Sequence, residues 1–331
     1  MKIATLQYDP RIGQVAANFS KAESLLMREE RAGALQGIDL LVLPEMAFTG
    51  YNHPSLAAIA PYLEPTAAGP STRWATRTAV RLKCTVCVGY PEAAEEGNYN
   101  TAFDEKITAH EDAIAYNSLV IVDATGEVVG HYRKSFLYYT DETWAKEGQG
   151  FFAGVIPMGS HGARVKAVAG ICMDINPYKF EAPWTAFEFA NHARESRAKL
   201  VIVSMNWLTH MTNAELTEQA KMPDTNTLGY WVERFRPLMD AATEGEEDVI
   251  IVCSNRTGME GTCPRIGEVK YAGSSCVFSM RQGQAVKIWD ILGRSQEGVL
   301  VIDTKDPARF ELTFREKASQ STAPQDQVVP G

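Results

Sequence analysis

Long apolar runs, basic clusters and metal-binding spacings are all missing from this sequence, and each absence removes a class of protein. No apolar stretch reaches the roughly 18 residues that a bilayer-spanning helix needs, so no membrane partner is expected. Lysine and arginine number 32 against 41 aspartates and glutamates, a formal charge of −9. An acidic chain without basic runs neutralises few phosphates, so nucleic acid is not an expected partner either. The six histidines are scattered and form no HxH or HExxH spacing. Of the six cysteines, one pair has CxxC spacing, Cys84-Thr-Val-Cys87, inside the strand-like run CTVCVGY. Residues i and i+3 of a strand face opposite sides, so two core thiols are expected there rather than half of a zinc site. No metal and no other cofactor is expected. MKIATLQYDP reads as a short alternating strand without the apolar core of a signal peptide or the character of a transit peptide. With six thiols read as reduced, the expectation is a cytoplasmic protein.

What is present is a regular alternation of strand-like and helix-like segments. Apolar, β-branched runs occupy 2–8, 38–45, 84–92, 116–124, 164–174, 199–207, 248–256, 273–280 and 299–304. Several are apolar almost throughout, as strands covered on both faces are. Amphipathic helical patterns lie at Val15–Gln36, Pro70–Lys83, Ala186–Ala198 and Leu228–Thr243. The tetrapeptide Asp-Ala-Thr-Gly at 123–126 reads as a hairpin turn. Alternation over the whole length predicts an α/β fold. With no linker-like stretch near the middle and no repeat, one domain over 1–314 is expected, followed by a polar tail over 315–331.

Three segments each place a reactive side chain just past a strand. In LLVLPEMAFTGY, Pro44 ends the ladder and Glu45 follows, at the edge where α/β sheets bind ligands. A surface glutamate at a strand exit serves as well. In GHYRKSFLYYTDETWAKEG, Lys134 is set among aromatics and serves as a fixed positive charge or as an exposed cation–π partner. In VAGICMDINPYKFEAP, Cys172 ends an apolar strand and a helix-like segment follows. A thiol on such a turn has the logic of a nucleophile elbow, and a helix N-terminus would favour its thiolate. A buried cysteine is also often inert.

Taken together, the order Glu45, Lys134, Cys172 resembles the nitrilase, or carbon–nitrogen hydrolase, superfamily. Glu45 sits in an LPE-x-x-x-x-GY pattern, Lys134 in YRK-x-x-L, and Cys172 in G-I-C-x-D. Cys172 follows Lys134 by 38 positions, a spacing typical of the family. The late pair SNRTGME and GSSCVFS also fits, so the resemblance spans about residues 2–304. MDINPYKFEAP after the cysteine departs from the Y-D-x-R-F-P form of generic amidases. Together with LPEMAFTGYN, VGYPE and YRKSFLYYTDETWAKEG, it is similar to the fungal protein N-terminal amidase branch.

The resemblance implies a four-layer α-β-β-α sandwich with two mixed sheets, and a homodimer. It implies Cys172 as nucleophile, Glu45 as general base and acid, and Lys134 with the Met173 backbone N–H as oxyanion donors. A second glutamate shortly after the lysine is implied too. Glu142 matches it best, with Glu147 and Asp141 as weaker stand-ins. The expected reaction converts the side-chain amide of an N-terminal Asn or Gln of a peptide or protein into Asp or Glu plus ammonia, through a Cys thioester. In the family's biology that product enters the N-degron pathway. A peptide α-ammonium would want a carboxylate, for which Asp174 and Asp141 are candidates, though a turn cap is an equal role for either. Tyr51, Asn206 and Trp207 are candidate pocket walls, and Trp and Tyr are as often simple packing. A small-molecule amidase such as an ω-amidase or N-carbamoyl hydrolase would use the same residues in a closed pocket. A silent scaffold would need none of them.

Overall fold

The computed structural model describes residues 1–94, 114–239 and 248–313. Among these, two seven-stranded mixed sheets form the centre. The first runs, in spatial order, Gly298–Asp303, Lys2–Gln7, Leu40–Val42, Thr85–Ala93, Ala115–Val122 and Val128–Arg133, with the short Glu64–Pro65 beside Thr85–Ala93. The second runs Phe310–Leu312, Val286–Ile291, Cys276–Met280, Val249–Asn255, Leu200–Met205, Ala163–Ile171 and Phe152–Met158. Parallel neighbours occupy the middle of each sheet and antiparallel ones the flanks.

The layering follows from the period-2 alternation of the first sheet's strands. Ile3, Leu40, Val42, Cys87, Leu119 and Ile121 point to the second sheet. Leu6, Leu41, Leu43, Val86, Val88, Val120 and Val122 point the other way. There they meet Ala22 and Leu26 of the helix Val15–Arg31 and Trp74, Ala75 and Ala79 of the helix Pro70–Leu82. The outer face of the second sheet is covered by Phe189, Ala190 and Ala193 of the helix Glu188–Glu195 and by Leu228, Trp231 and Val232 of the helix Thr225–Arg234. This is the α-β-β-α sandwich. Cys84 and Cys87 lie in opposite cores, as strand geometry requires. Inside, Ser204 and Ser254 hydroxyls donate across to the Leu43 and Val42 carbonyls at 2.9 Å each, so the sheets are joined by polar bonds as well as by packing.

Several segments differ from the sequence-based expectation. The fourth helix spans Thr225–Arg234 instead of beginning at Leu228. Asp224 caps it by accepting the Thr227 N–H at 3.1 Å, and Pro237, which lacks an N–H, sits in a 3-10 turn soon after it. The end expected at Thr243 lies outside the described residues, and so does the tail from 315. From Cys172 the chain makes three 3-10 turns, Cys172–Ile175, Tyr178–Phe180 and Trp184–Ala186, the last two each preceded by a proline, Pro177 and Pro183, and the α-helix starts only at Glu188. Of the aromatics in that stretch, Phe189 is core, while Trp184 is 40% exposed. No described helix is long and apolar enough to cross a membrane.

Candidate active site

Glu45, Lys134 and Cys172 come from three strand exits and meet in the interior. Glu45 follows Leu40–Val42 and precedes Met46, whose φ is +48°. This turn lies against the backbone of the next strand, where only glycine fits. A Cβ on Gly89 would stand 2.7 Å from Glu45 Cα and 2.8 Å from Met46 N. Lys134 follows Val128–Arg133, its N–H bonded to the Asn117 carbonyl at 2.8 Å. Cys172 follows Ala163–Ile171 and opens the 3-10 turn Cys172–Ile175 with φ +44°, a backbone conformation uncommon for a non-glycine residue and frequent at functional turns.

One carboxylate holds two of these loops together. Asp174 Oδ2 accepts the Ile171 N–H at 2.7 Å and the Tyr132 hydroxyl at 2.8 Å. Its Oδ1 accepts the Phe136 N–H at 2.8 Å and the Ser135 N–H at 3.2 Å. The cysteine turn and the lysine loop are thereby fixed to each other. This corrects the expectation that Asp174 binds a substrate ammonium: it is fully buried and already accepts four bonds. Burial pushes its pKa up to about 6, against the pull of those donors and of Lys134.

Lys134 Nζ, fully buried, donates to Glu45 Oε1 at 2.7 Å and to Asp141 Oδ2 at 2.5 Å. Asn117 Nδ2 joins the same two carboxylates, at 2.6 Å from Glu45 Oε1 and 2.9 Å from Asp141 Oδ1. Asp141 Oδ2 also accepts the Tyr51 hydroxyl at 3.1 Å and the Tyr138 N–H at 3.0 Å. Asp141, then, and not Glu142, is the second acid beside the lysine. Glu142 is exposed on the same short turn, and Glu147 is exposed and bonded to the Tyr178 hydroxyl. A 3-10 turn over 141–143 turns consecutive side chains apart, so one position decides which acid reaches the interior. Asp141 is consequently not free to take a substrate ammonium either.

Two buried carboxylates share one ammonium. Burial raises the Glu45 pKa to about 7, Lys134 working against the shift and the Asp141 charge adding to it. Burial alone would lower the Lys134 pKa, but Asp141 and Glu45 together raise it, so the ammonium stays charged. The Cys172 thiol is pushed well above its ordinary value, by burial first and by the Glu45 carboxylate second, with Lys134 opposing. The helix expected from the sequence to favour the Cys172 thiolate does not begin there: a 3-10 turn opens at Cys172 and the α-helix starts only at Glu188. The thiol sits beside the Glu45 carboxyl group. The Asn206 N–H links them: it donates to Glu45 Oε2 at 2.8 Å and also faces the Cys172 sulfur.

Above this cluster lies a cavity of about 590 Å³. Cys172, Met173, Tyr51, Asn206 and Trp207 all line it. Trp207 is held by its N–H donating to Asn255 Oδ1 at 2.8 Å and by ring contacts with Tyr230 and Trp231. Asn176, Phe180, Thr209, Asp224 and Tyr230 line it too and were not found from the sequence. Asn176 and Phe180 lie just past the cysteine turn, Thr209 and Asp224 lie on loops, and Tyr230 lies on the helix Thr225–Arg234; the folding back of 206–230 brings the last three to Cys172. Among the described residues, no lysine or arginine lines it. The cavity is thus a space with a thiol at its floor, an acid–ammonium cluster behind the thiol, and no cationic wall.

The carbon–nitrogen hydrolase family profile matches residues 2–177. Across 316 residues the chain is 32% identical to a protein N-terminal amidase of Schizosaccharomyces pombe, covering 91% of this chain and 98% of that protein. A protein N-terminal amidase of Saccharomyces cerevisiae is 30% identical over 221 residues, which are 63% of this chain and 45% of that one. The fold is that of a crystallised N-terminal amidase with a Gln-Gly peptide, at a TM-score of 0.76 and 21% identity, covering 91% of this chain and 96% of that one. These matches and the site agree: the chain belongs to the carbon–nitrogen hydrolase family.

Proposed function

We propose that this protein hydrolyses the side-chain amide of an N-terminal Asn or Gln in peptides and proteins, giving N-terminal Asp or Glu and ammonia. The observation that carries this is a cavity floored by Cys172 and, among the described residues, walled without any lysine or arginine. A free amino acid or an ω-amide of a dicarboxylic acid would enter it with an unpaired carboxylate, at a cost in desolvation. In a peptide the first residue has no carboxylate. The relatives in the two yeasts, named protein N-terminal amidases, support the same substrate class.

In this reading Glu45 takes the Cys172 proton as the sulfur adds to the amide carbon, and the carbonyl electron pair moves onto oxygen. Lys134 Nζ has three hydrogens, of which two are engaged by Glu45 and Asp141. The third and the Met173 N–H stabilise the oxyanion. As the tetrahedral species collapses, the C–N bond breaks and Glu45 returns its proton to the leaving nitrogen, which departs as ammonia. Glu45 then deprotonates a water that adds to the Cys172 thioester. The C–S bond breaks, and the sulfur recovers the proton. Asp141 and Asn117 hold Lys134 and Glu45 in register. A cytoplasmic location, delivery of acidic N-termini to an N-degron pathway and a homodimer belong to the same proposal. Light scattering of the purified protein tests the last.

The experiment is conversion of short peptides beginning Asn, Gln or Gly-Asn, followed by mass spectrometry and ammonia release, with Cys172→Ala as control. Conversion of the first two alone, lost in the variant, is expected. Turnover of free amides or carbamoyl compounds without turnover of peptides would overturn the reading in favour of a small-molecule amidase.

A further inference from the structure

A peptide α-ammonium entering this cavity must meet a carboxylate, and the two acids first considered, Asp141 and Asp174, are both consumed inside the protein. We propose that Asp224 receives it. This deepens the N-terminal amidase reading and rests on it. Asp224 lines the cavity and is 3% exposed. It is held by two neutral donors: the Thr209 hydroxyl gives to Oδ2 at 2.8 Å and the Thr227 N–H to Oδ1 at 3.1 Å. A carboxylate has about four acceptor positions, so two remain.

Elsewhere in this protein several buried acids have a cation, while Asp174 and Glu64 are held by neutral donors alone. Glu45 and Asp141 share Lys134, Glu260 has Arg256, and Glu92 has Arg133. Asp224 has no ion-pair partner among the described residues, although buried carboxylates are usually paired. It sits at the N-cap of Thr225–Arg234. The cation this arrangement lacks is one that arrives with the substrate.

A second observation comes from the Cys172 side of the same cavity. Asn206 is 2% exposed and lines the space, yet neither its Oδ1 nor its Nδ2 has a hydrogen-bond partner among the described residues. A buried carboxamide with donor and acceptor both unmet is rare. It is complementary to a group that also offers both, such as a carboxamide or a peptide unit. The cavity therefore carries an anionic receptor on one wall and an unsatisfied amide on another. An N-terminal Asn or Gln residue presents the matching pair, an ammonium and a carboxamide.

The test compares two substrates in wild type and Asp224→Asn: a Gln-Gly peptide, and the same molecule lacking its α-amino group, glutaramoyl-glycine. Asparagine keeps the cap acceptor and removes the charge. In wild type the peptide is expected to be favoured. In Asp224→Asn, kcat/KM for the peptide is expected to fall on the order of 10²-fold, as for a buried pair losing one partner, with the des-amino compound changed by less than about threefold. A milder Thr209→Val, which removes one bond to the carboxylate, should reduce the preference by a smaller factor in the same direction. Equal losses on both substrates in both variants would make Asp224 a structural cap and overturn the assignment. Unchanged preference would overturn it as well. Failure of the wild type to convert the peptide at all, with free amides hydrolysed, would instead remove the N-terminal amidase reading beneath it.

Discussion

Lys134 donates to Asp141, seven residues further along the same loop, at 2.5 Å. The lysine ammonium is thereby held between two acids from different strand exits, and the three buried groups together carry one net negative charge. Burial is the main reason Glu45 is raised from 4.5 to about 7; the Asp141 charge adds to the shift and Lys134 opposes it. A base poised at the working pH gives up little driving force in either direction of proton transfer.

The thiol is the residue whose loss leaves no substitute. Cys172→Ala is expected to have no measurable turnover, and stoichiometric alkylation of Cys172, mapped by mass spectrometry, should track loss of activity one to one. Full activity after complete alkylation would exclude it as nucleophile.

Lys134 carries both electrostatic and positioning roles. Lys134→Ala removes an oxyanion donor and leaves Glu45 and Asp141 facing each other without a cation. A loss of at least 10²–10³-fold in kcat is expected, roughly 3–4 kcal/mol of barrier. Steady-state kinetics that show only a raised KM would argue against the donor role.

The pH profile distinguishes Asp141 from Glu142. Glu45 must be ionised to accept the thiol proton, so kcat/KM should fall as pH drops below about 7. The Asp141 charge raises the Glu45 pKa, so Asp141→Asn should move that acidic limb to lower pH as well as lower the maximum. Glu142→Gln, exposed, should leave limb and maximum in place. A limb shifted by Glu142→Gln and not by Asp141→Asn would reverse the assignment.

Away from the site, Glu64 offers a test of stability against pH. It is buried, accepts the Ser71 N–H at 2.8 Å and the Ser71 hydroxyl at 2.6 Å, and is raised by burial from 4.5 to about 7. A carboxyl whose folded pKa is raised contributes its full stability below the unfolded value and loses it as pH rises through the folded one. Between about pH 4.5 and 7 Glu64 thus makes the protein less stable with rising pH. Glu64→Gln, which can make both bonds neutrally, should melt at a higher temperature than wild type at pH 8 and at a similar one at pH 4.5. Identical melting curves at pH 8 would show that the shift is not realised.

Gly89→Ala adds one methyl group against the backbone of Glu45 and Met46. Neither neighbour is a flexible side chain, so the Glu45 turn must move. A misplacement of about 1 Å is enough to lose some 10²-fold in activity. Preserved kcat together with preserved melting temperature would show that the close approach is relaxed in solution.

Much of the fold was legible along the chain. Strand runs such as 84–92 and 199–207 lie close to the strands Thr85–Ala93 and Leu200–Met205, because burial on both faces demands continuous apolar residues. The helix Pro70–Leu82 ends within one residue of its expected end, where Lys83 adopts a left-handed φ of +55°. Edge strands such as Phe152–Met158 and Phe310–Leu312, with exposed residues and weak alternation, left no comparable mark. Pro177 and Pro183 in the expected post-cysteine helix were visible signals that it would break.

Residue order alone determined the α/β class and the three strand exits that hold Glu45, Lys134 and Cys172, because strand termination and burial are local properties; the two-sheet sandwich was implied by the family resemblance. The tertiary structure decided which groups those three meet. Asp141 and Glu142 are neighbours in sequence, and the direction of a single turn sends one to the lysine and the other to solvent. Asn117 lies in an ordinary strand run, and only its placement between two acids from elsewhere makes it part of the cluster. Asp174, close to the nucleophile in sequence, is consumed by four donors, while Asp224, 52 positions beyond Cys172, faces the same cavity. Hydrogen bonding and desolvation act over a few ångströms, and which residues lie within that range is fixed by packing, not by sequence separation.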